Sequence, residues 1–304
     1  MFCRRTLCAL NVWANAPRLF SPLTLVLTVS SLVMLTACSG FSSGSGTSET
    51  QATTTTPAPS TPPTPPASPS GTSFTNVQRA SGWGQYGLGP PNFEDCSPSP
   101  CDGISFLMQQ GIGNPSLSGA AAEFSLGGTA LYSDALFNNH LIGPLSSQGL
   151  SDTNGRLVPT LHTFTYDVYF YGDDLALSQA LEFDVNQFFS SRGFIWGHEC
   201  RIAGGNEWDV WDNRNAMWTP TGVACYPNSN AWNHVTIQVQ RTGENQLLYH
   251  SITLNGQTNT LNLTFPPGTA PSNGYGITIN YQMDGDYKQD PYDIYLDQLN
   301  FTYE

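Results

Sequence analysis

Val235-Thr236-Ile237-Gln238-Val239-Gln240 alternates apolar and polar side chains residue by residue. Successive side chains of an extended strand point to opposite faces, so the pattern predicts a strand with one face on a core and the other away from it. The same period runs through Ile277, Ile279, Tyr281 and Met283, set against Thr278, Asn280, Gln282 and Asp284. It recurs in Phe164, Tyr166, Val168 and Phe170 between Thr163 and Tyr171. Near the C-terminal end the phase changes. Tyr292, Ile294 and Leu296 share one face, and then Leu299, Phe301 and Tyr303 take it over. One extra residue near Asp297 produces such a change, as a β-bulge does. Turn dipeptides punctuate the runs: Gly127-Gly128, Asn154-Gly155, Gly204-Gly205, Asn255-Gly256, Asn273-Gly274 and Asp284-Gly285.

No stretch carries a long helical period; Leu175 to Leu181 suits a single helical turn, and there is no internal repeat. Residues 74–304 hold about a dozen such runs. An all-β chain of this size is expected to pack as a two-sheet antiparallel jelly-roll sandwich. Two segments carry a resemblance. Trp232-Asn233-His234-Val235-Thr236-Ile237-Gln238-Val239, followed by Ile252-Thr253-Leu254-Asn255-Gly256, resembles a hairpin of concanavalin A-like and laminin-G-like domains. Ile294-Tyr295-Leu296-Asp297-Gln298-Leu299-Asn300-Phe301 resembles their closing strand. The resemblance implies a concanavalin A-like sandwich and is silent about the ligand.

The N-terminal quarter has a different character. Arg4, Arg5 and Arg18 precede an apolar run from Leu19 to Leu35 that is interrupted by Pro22. Charge, apolar core and small residues in that order describe a secretory signal over residues 1–37. The competing reading, a transmembrane helix, has a run slightly short of the ~20 residues a span needs. Leu35-Thr36-Ala37-Cys38 resembles the lipobox of bacterial lipoproteins, which implies cleavage before Cys38, lipidation of its thiol and a place on the bacterial cell envelope. Residues 38–73 are Gly, Ser, Thr, Pro and Ala with almost nothing apolar, the composition of a disordered, semi-stiff linker. Of the 7 Cys, Cys3, Cys8 and Cys38 fall in this region. Cys96, Cys101, Cys200 and Cys225 remain, an even set that reads as disulfides in an exported chain. The expected pairs are Cys96–Cys101 and Cys200–Cys225; without a Cys-x-x-Cys pattern a zinc site is disfavoured. Setting the three signal arginines aside leaves seven basic against 23 acidic side chains, a net charge of −16. Such a surface repels phosphate backbones and argues against nucleic acid as a partner.

Leu181-Glu182-Phe183-Asp184-Val185-Asn186 holds the chemistry. With Leu181, Phe183 and Val185 on the core, Glu182, Asp184 and Asn186 project side by side into solvent from the other face, each ~6.6 Å from the next. This looks like the Glu-x-Asp-x-(x)-Glu strand of family 16 glycoside hydrolases, which implies Glu182 as nucleophile and Asp184 as its assistant. The third position departs from that pattern. Asn186 is an amide and delivers no proton, and general acid–base catalysis is worth ~10²–10⁴-fold in rate. Hydrolysis, or lyase chemistry on the same fold, then needs Glu199 or Glu207 as the acid. The plainer alternative is that Glu182 and Asp184 bond Arg201 or tyrosines on an open sheet face. Four tryptophans, Trp196, Trp208, Trp211 and Trp218, lie close together among acids and amides. Aromatic surfaces with a few directed polar groups suit a sugar site; the alternative is a Trp-rich core. Trp208 and Val210 share one face and Trp211 the other, so Trp211, with Trp196, is expected at the surface. His198-Glu199 begins like a zinc protease motif, but Ile202 stands where the second His belongs. His162, His234 and His250 are isolated. Asp284 and Asp286, with Asp290, Asp293 and Asp297 nearby, are candidate oxygen ligands for a structural calcium; no other cofactor is expected. The expectation is an envelope lipoprotein that binds a polysaccharide or oligosaccharide through Glu182, Asp184, Asn186, Trp196 and Trp211, without catalysis. A hydrolase and a protein-interaction module are the alternatives.

Overall fold

The structure is a computed structural model that describes residues 71–270 and 273–304. The signal, the lipobox Cys38 and most of the linker lie outside those residues. In chain order the strands are β1 (Thr72–Phe74), β2 (Trp83–Gly89), β3 (Glu94–Cys96), β4 (Ile104–Ile112), β5 (Ala121–Gly128) and β6 (Asp134–Ile142). They continue with β7 (Thr163–Gly172), β8 (Ser178–Phe189), β9 (Arg192–Trp196), β10 (His198–Arg201), β11 (Glu207–Asp212) and β12 (Met217–Ala224). The last six are β13 (Ala231–Thr242), β14 (Gln246–Leu254), β15 (Gln257–Phe265), β16 (Gly268–Thr269), β17 (Gly276–Gly285) and β18 (Tyr292–Tyr303). The surplus over a dozen is made of short strands, β1, β3, β9, β10 and β16, which alternation does not reveal. Pairing begins at Thr72, which lies opposite Tyr303. The only helices among the described residues are single 3-10 turns, one of them over Leu175–Leu177.

The strands form two antiparallel sheets. One has eight strands in the order β15-β14-β13-β7-β18-β5-β4, with β1 on β18. The other has ten, in the order β12-β11-β10-β8-β17-β6-β2-β3, with β9 on β8 and β16 on β9. The chain is thus the all-β sandwich that the alternation predicts. Its core is the set of apolar rows between the sheets. Phe183 of β8 is fully buried against Tyr166 and Phe170 of β7, with ring centroids 6.1 and 5.7 Å apart. Each buried aromatic of this kind contributes ~1.5–3 kcal/mol by leaving water.

The phase change near Asp297 is a bulge. The pairing of β18 with β7 shifts between Asp297 and Asn300, and Gln298 takes a φ of 50°. The buried Asp297 carboxylate holds it, accepting from the N–H groups of Leu117, Ser118 and Gln298 and from Gln78 Nε2. Asn255-Gly256 joins β14 to β15 with φ of 51° and 83°, the two positive values a type I′ hairpin requires. Gly127-Gly128 and Asp284-Gly285 do not make turns. They end β5 and β17, in register with neighbouring strands. Gly128 is there for close packing, since a Cβ on it would come within 2.2 Å of the Gly103 carbonyl oxygen. Both expected disulfides form, Cys96–Cys101 and Cys200–Cys225, with Cα separations of 5.9 and 5.7 Å. They fit a chain matured outside the reducing cytosol.

Candidate functional site

The outer face of the ten-stranded sheet carries a grid of polar side chains. In register across β8, β17 and β6, Glu182 lies opposite Gln282 and Gln282 opposite Leu136; Tyr86 of β2 continues this row. Asp184, Asn280 and Asn138 form the second row, and Asn186, Thr278 and His140 the third. Residues directly opposite in antiparallel strands point to the same side, so three non-local strand pairings turn four short sequence segments into one surface. Trp211 and Trp218, paired across β11 and β12, form one wall, with ring centroids 5.3 Å apart and planes at 68°. Tyr86 and Asp95 stand at the far side. The grid and walls bound a groove of about 810 Å³ counted out to its open mouth. Gly197 makes the wall possible. A Cβ there would stand 3.0 Å from Trp211 Cβ and 3.1 Å from Trp218 Cη2.

The floor is buried and acidic. Glu182, Asp184 and Asn186 are only 2%, 6% and 5% exposed, so the expectation that they project into open solvent is corrected. They do face away from the inter-sheet core and line the groove. Gln282 Nε2 donates to Glu182 Oε1 at 2.8 Å and to Asp284 Oδ1 at 2.9 Å. Asn280 Nδ2 donates to Asp184 Oδ2 at 3.3 Å, and Thr278 Oγ1 lies 3.1 Å from His140 Nδ1. Burial, then the carboxylates of Asp284, Asp184, Glu199 and Asp134, holds Glu182 well above the usual carboxylate range. Burial pushes Asp184 up to about 7, against the opposing pull of Asn280 and the His198 N–H. Burial also lowers His140 below the usual imidazole range. Oδ1 of Asp184 and Oδ1 of Asn186 complete no hydrogen bond of normal geometry. An unsatisfied buried acceptor costs ~1–3 kcal/mol, so this floor is held at a penalty.

Several sequence expectations are corrected. Trp196 is not at the surface: it lies opposite Val185, shares that residue's core face and is fully buried between Phe164 and Phe194. Trp211 does stand on the groove side, although its packing against Trp218 leaves it 3% exposed. Glu199 pairs with Glu182 across β10 and β8 but is wholly buried and does not line the groove. Glu207 is tied to Arg201 at 3.0 Å and to the Gly222 N–H, away from the grid. Neither reaches the groove as an acid. Arg201 serves Asp209 and Glu207, not Glu182 or Asp184. The calcium candidates diverge. Asp284 is buried beside Gln282, whereas Asp286 caps a turn by accepting from the N–H groups of Lys288 and Gln289. Among the described residues no three His, Cys, Asp or Glu side chains gather to hold a metal. His198 points into the core with its Nδ1 3.1 Å from the Trp196 carbonyl, and burial drops it to about 3.

The grid members that sequence reasoning missed are Asn138, His140, Thr278, Asn280, Gln282, Tyr86 and Asp95. Thr278, Asn280 and Gln282 are visible as the polar alternates of one strand. Only the pairing of β17 with β8 and β6 gives them a role.

No protein-family profile and no curated protein matches this sequence. Among solved structures it is similar to carbohydrate-binding modules of a β-sandwich superfamily, at 10% identity over 76% of this chain and 61% of that one, with a TM-score of 0.36. The chain thus spans less than two thirds of that structure's length. It is also similar to the cellulose-induced protein Cip1, at 12% identity over 69% of this chain and 89% of that one, TM-score 0.39. The lectin UEA-II, solved with galactose, matches at 12% identity over 74% and 99%, TM-score 0.34. At these values the likenesses carry no argument about function.

Proposed function

We propose that this domain binds an oligosaccharide in the groove of its ten-stranded sheet and does not hydrolyse it, and that a lipid on Cys38 holds it to a bacterial cell envelope. The observation that carries this reading is the pairing of a tryptophan wall with a floor of amide, hydroxyl and carboxyl side chains that line one groove. A sugar hydroxyl supplies a donor and two acceptor positions, and its C–H faces suit an indole.

Hydrolysis has one feature in its favour. An acid form persists near neutral pH at Asp184, and glycosidases use raised carboxyls as acids. Against it, Asn186 occupies the third catalytic position, and neither Glu199 nor Glu207 lines the groove. The test is a glycan array probed with the purified full-length protein, followed by reducing-end assays on whatever binds. Binding without new reducing ends is expected. Release of reducing ends that Glu182→Gln abolishes overturns the non-catalytic reading, and an array with no signal overturns the carbohydrate reading.

A further inference from the structure

We infer that the ligand is a chain that continues past Trp211 into a second cavity, and that the sugar seated there is a uronate whose carboxylate Arg214 takes. This rests on the oligosaccharide reading above and narrows it. Asn213, Arg214, Pro267 and Thr269 line the second cavity together with Ile195 and Trp211; it is about 680 Å³ counted out to its open mouth. Ile195 and Trp211 also line the groove, so the two spaces meet along this pair. Ile195 continues the third row of the grid, since it lies opposite Asn186 where β9 pairs with β8. Beyond β9 comes β16, with Thr269 in register with Arg192. The strands β6, β17, β8, β9 and β16 thus succeed one another in the direction of the second cavity. Neighbouring strands are spaced close to the length of one sugar in an extended chain, so a chain laid from His140 to Thr269 needs about five sugars.

Arg214 is presented by the turn between β11 and β12. Asp212 Oδ1 accepts from the N–H groups of Arg214 and Asn215 at 2.9 and 3.2 Å, and its Oδ2 accepts from Asn215 Nδ2 at 2.6 Å. Asn213 ties the turn to β9, accepting from Ile195 N at 3.0 Å and donating to Ile195 O at 2.7 Å. The acid of the turn is therefore spent on the turn, and the Arg214 side chain is left exposed at the cavity. Other arginines are committed: Arg79 to Ala120 and Ser118, Arg192 to the Glu244 carbonyl, Arg201 to Asp209 and Glu207, and Arg241 to Gln187 and Leu161. Among the described residues the Arg214 guanidinium has no such partner; the same holds for Arg156, which lines neither cavity. Arg214 is also the one Arg or Lys that lines either space. A guanidinium fork matches a carboxylate through two parallel charge-assisted bonds, which a neutral hydroxymethyl group cannot make. The floor opposes an acidic chain less than its composition suggests. Burial holds Glu182 and Asp184 above the usual carboxylate range, so they keep protons toward neutral pH, and neither lines the cavity of Arg214.

The test pairs hexamers that differ only in oxidation at C6, by calorimetry on the full-length protein near neutral pH: glucan with glucuronan, mannan with mannuronan and galactan with galacturonan. Polyglutamate serves as a polyanion without sugar rings. On the backbone that binds, the uronate hexamer is expected to bind about tenfold tighter than its neutral partner, the worth of one charge-assisted contact. The uronate trimer of that backbone, too short to span both spaces, should bind at least about tenfold more weakly than the hexamer. Arg214→Gln should bring the uronate hexamer down to the level of its neutral partner. Neutral hexamers that bind as tightly as their uronate partners, a preference that survives Arg214→Gln, or a trimer that matches the hexamer overturns the inference and leaves the oligosaccharide reading standing. Polyglutamate binding as tightly as the uronate hexamer overturns it too, by reducing the effect to general attraction of anions. No binding by any hexamer removes both.

Discussion

The outer faces of the two sheets arise from the same alternation and end in opposite states. On the eight-stranded sheet, Asp167 of β7 accepts from His234 at 2.9 Å and from Thr236 at 2.6 Å, and the His234 ring stacks on Tyr169 with centroids 4.1 Å apart. Tyr295 donates to Glu123 at 3.0 Å. These side chains are partly exposed and supply one another's partners. On the ten-stranded sheet the corresponding row is nearly buried and its acids are pushed toward their protonated forms. A polar row that its neighbours satisfy is finished structure. One that is buried, acidic and walled by tryptophans in a groove is where the proposed ligand would sit.

The largest expected effect separates the two sides of β8 itself. Phe183→Ala should lower unfolding free energy by ~3–5 kcal/mol, as for other buried aromatics. Asp184→Asn, on the opposite side of the same strand, should leave stability near neutral pH unchanged or higher; urea titrations of both variants check this. A comparable loss from Asp184→Asn would make the groove row as structural as the core row.

Next is pH. The folded pKa of Asp184 is raised from 3.8 to about 7, so between those values the native state holds a proton that the unfolded chain has released. Its contribution is present below the unfolded pKa and is lost as pH rises through the folded one, on the order of 4 kcal/mol at most. His198, lowered from 6.5 to about 3, acts in the other sense, its contribution being lost as pH falls. The difference between wild type and Asp184→Asn isolates the carboxyl. The Tm of wild type relative to the variant should fall from about pH 4 to about pH 7, and a flat difference would refute the assigned protonation.

The smallest effects bear on binding. Trp218→Ala should weaken the array-selected oligosaccharide at least about tenfold, as loss of an aromatic anchor does. Asp167→Asn, on the other face, should leave affinity unchanged and cost no more than about 1 kcal/mol of stability, as for an exposed ion pair. Calorimetry on the two variants sharpens the contrast, and equal losses would erase it.

Alternation alone made the sandwich legible, down to the bulge at Asp297, because a period of two is local. Cysteine parity left three pairings open, and the short loop between Cys96 and Cys101 favoured the one that forms. The site was legible only by halves. Glu182, Asp184 and Asn186 could be placed on one face from Leu181, Phe183 and Val185 alone. Their neighbours on β17 and β6 come from about fifty to a hundred residues away in sequence, set by registers that no local pattern encodes. Trp196 misled because β9 and β10 meet at Gly197. A tryptophan in a polar neighbourhood looks like a surface residue until its pairing with Val185 turns it inward.

Side-chain amide NMR resolves the central claim directly. On addition of the oligosaccharide selected by the array, the side-chain amide resonances of Asn138, Asn186, Asn280 and Gln282 should shift together and saturably, while those of Asn233 and Asn255, which bond one another at 2.9 Å, should stay in place. Shifts confined to Asn233, Asn255 and the Tyr169–His234 side, with the four groove amides unmoved, would contradict the account.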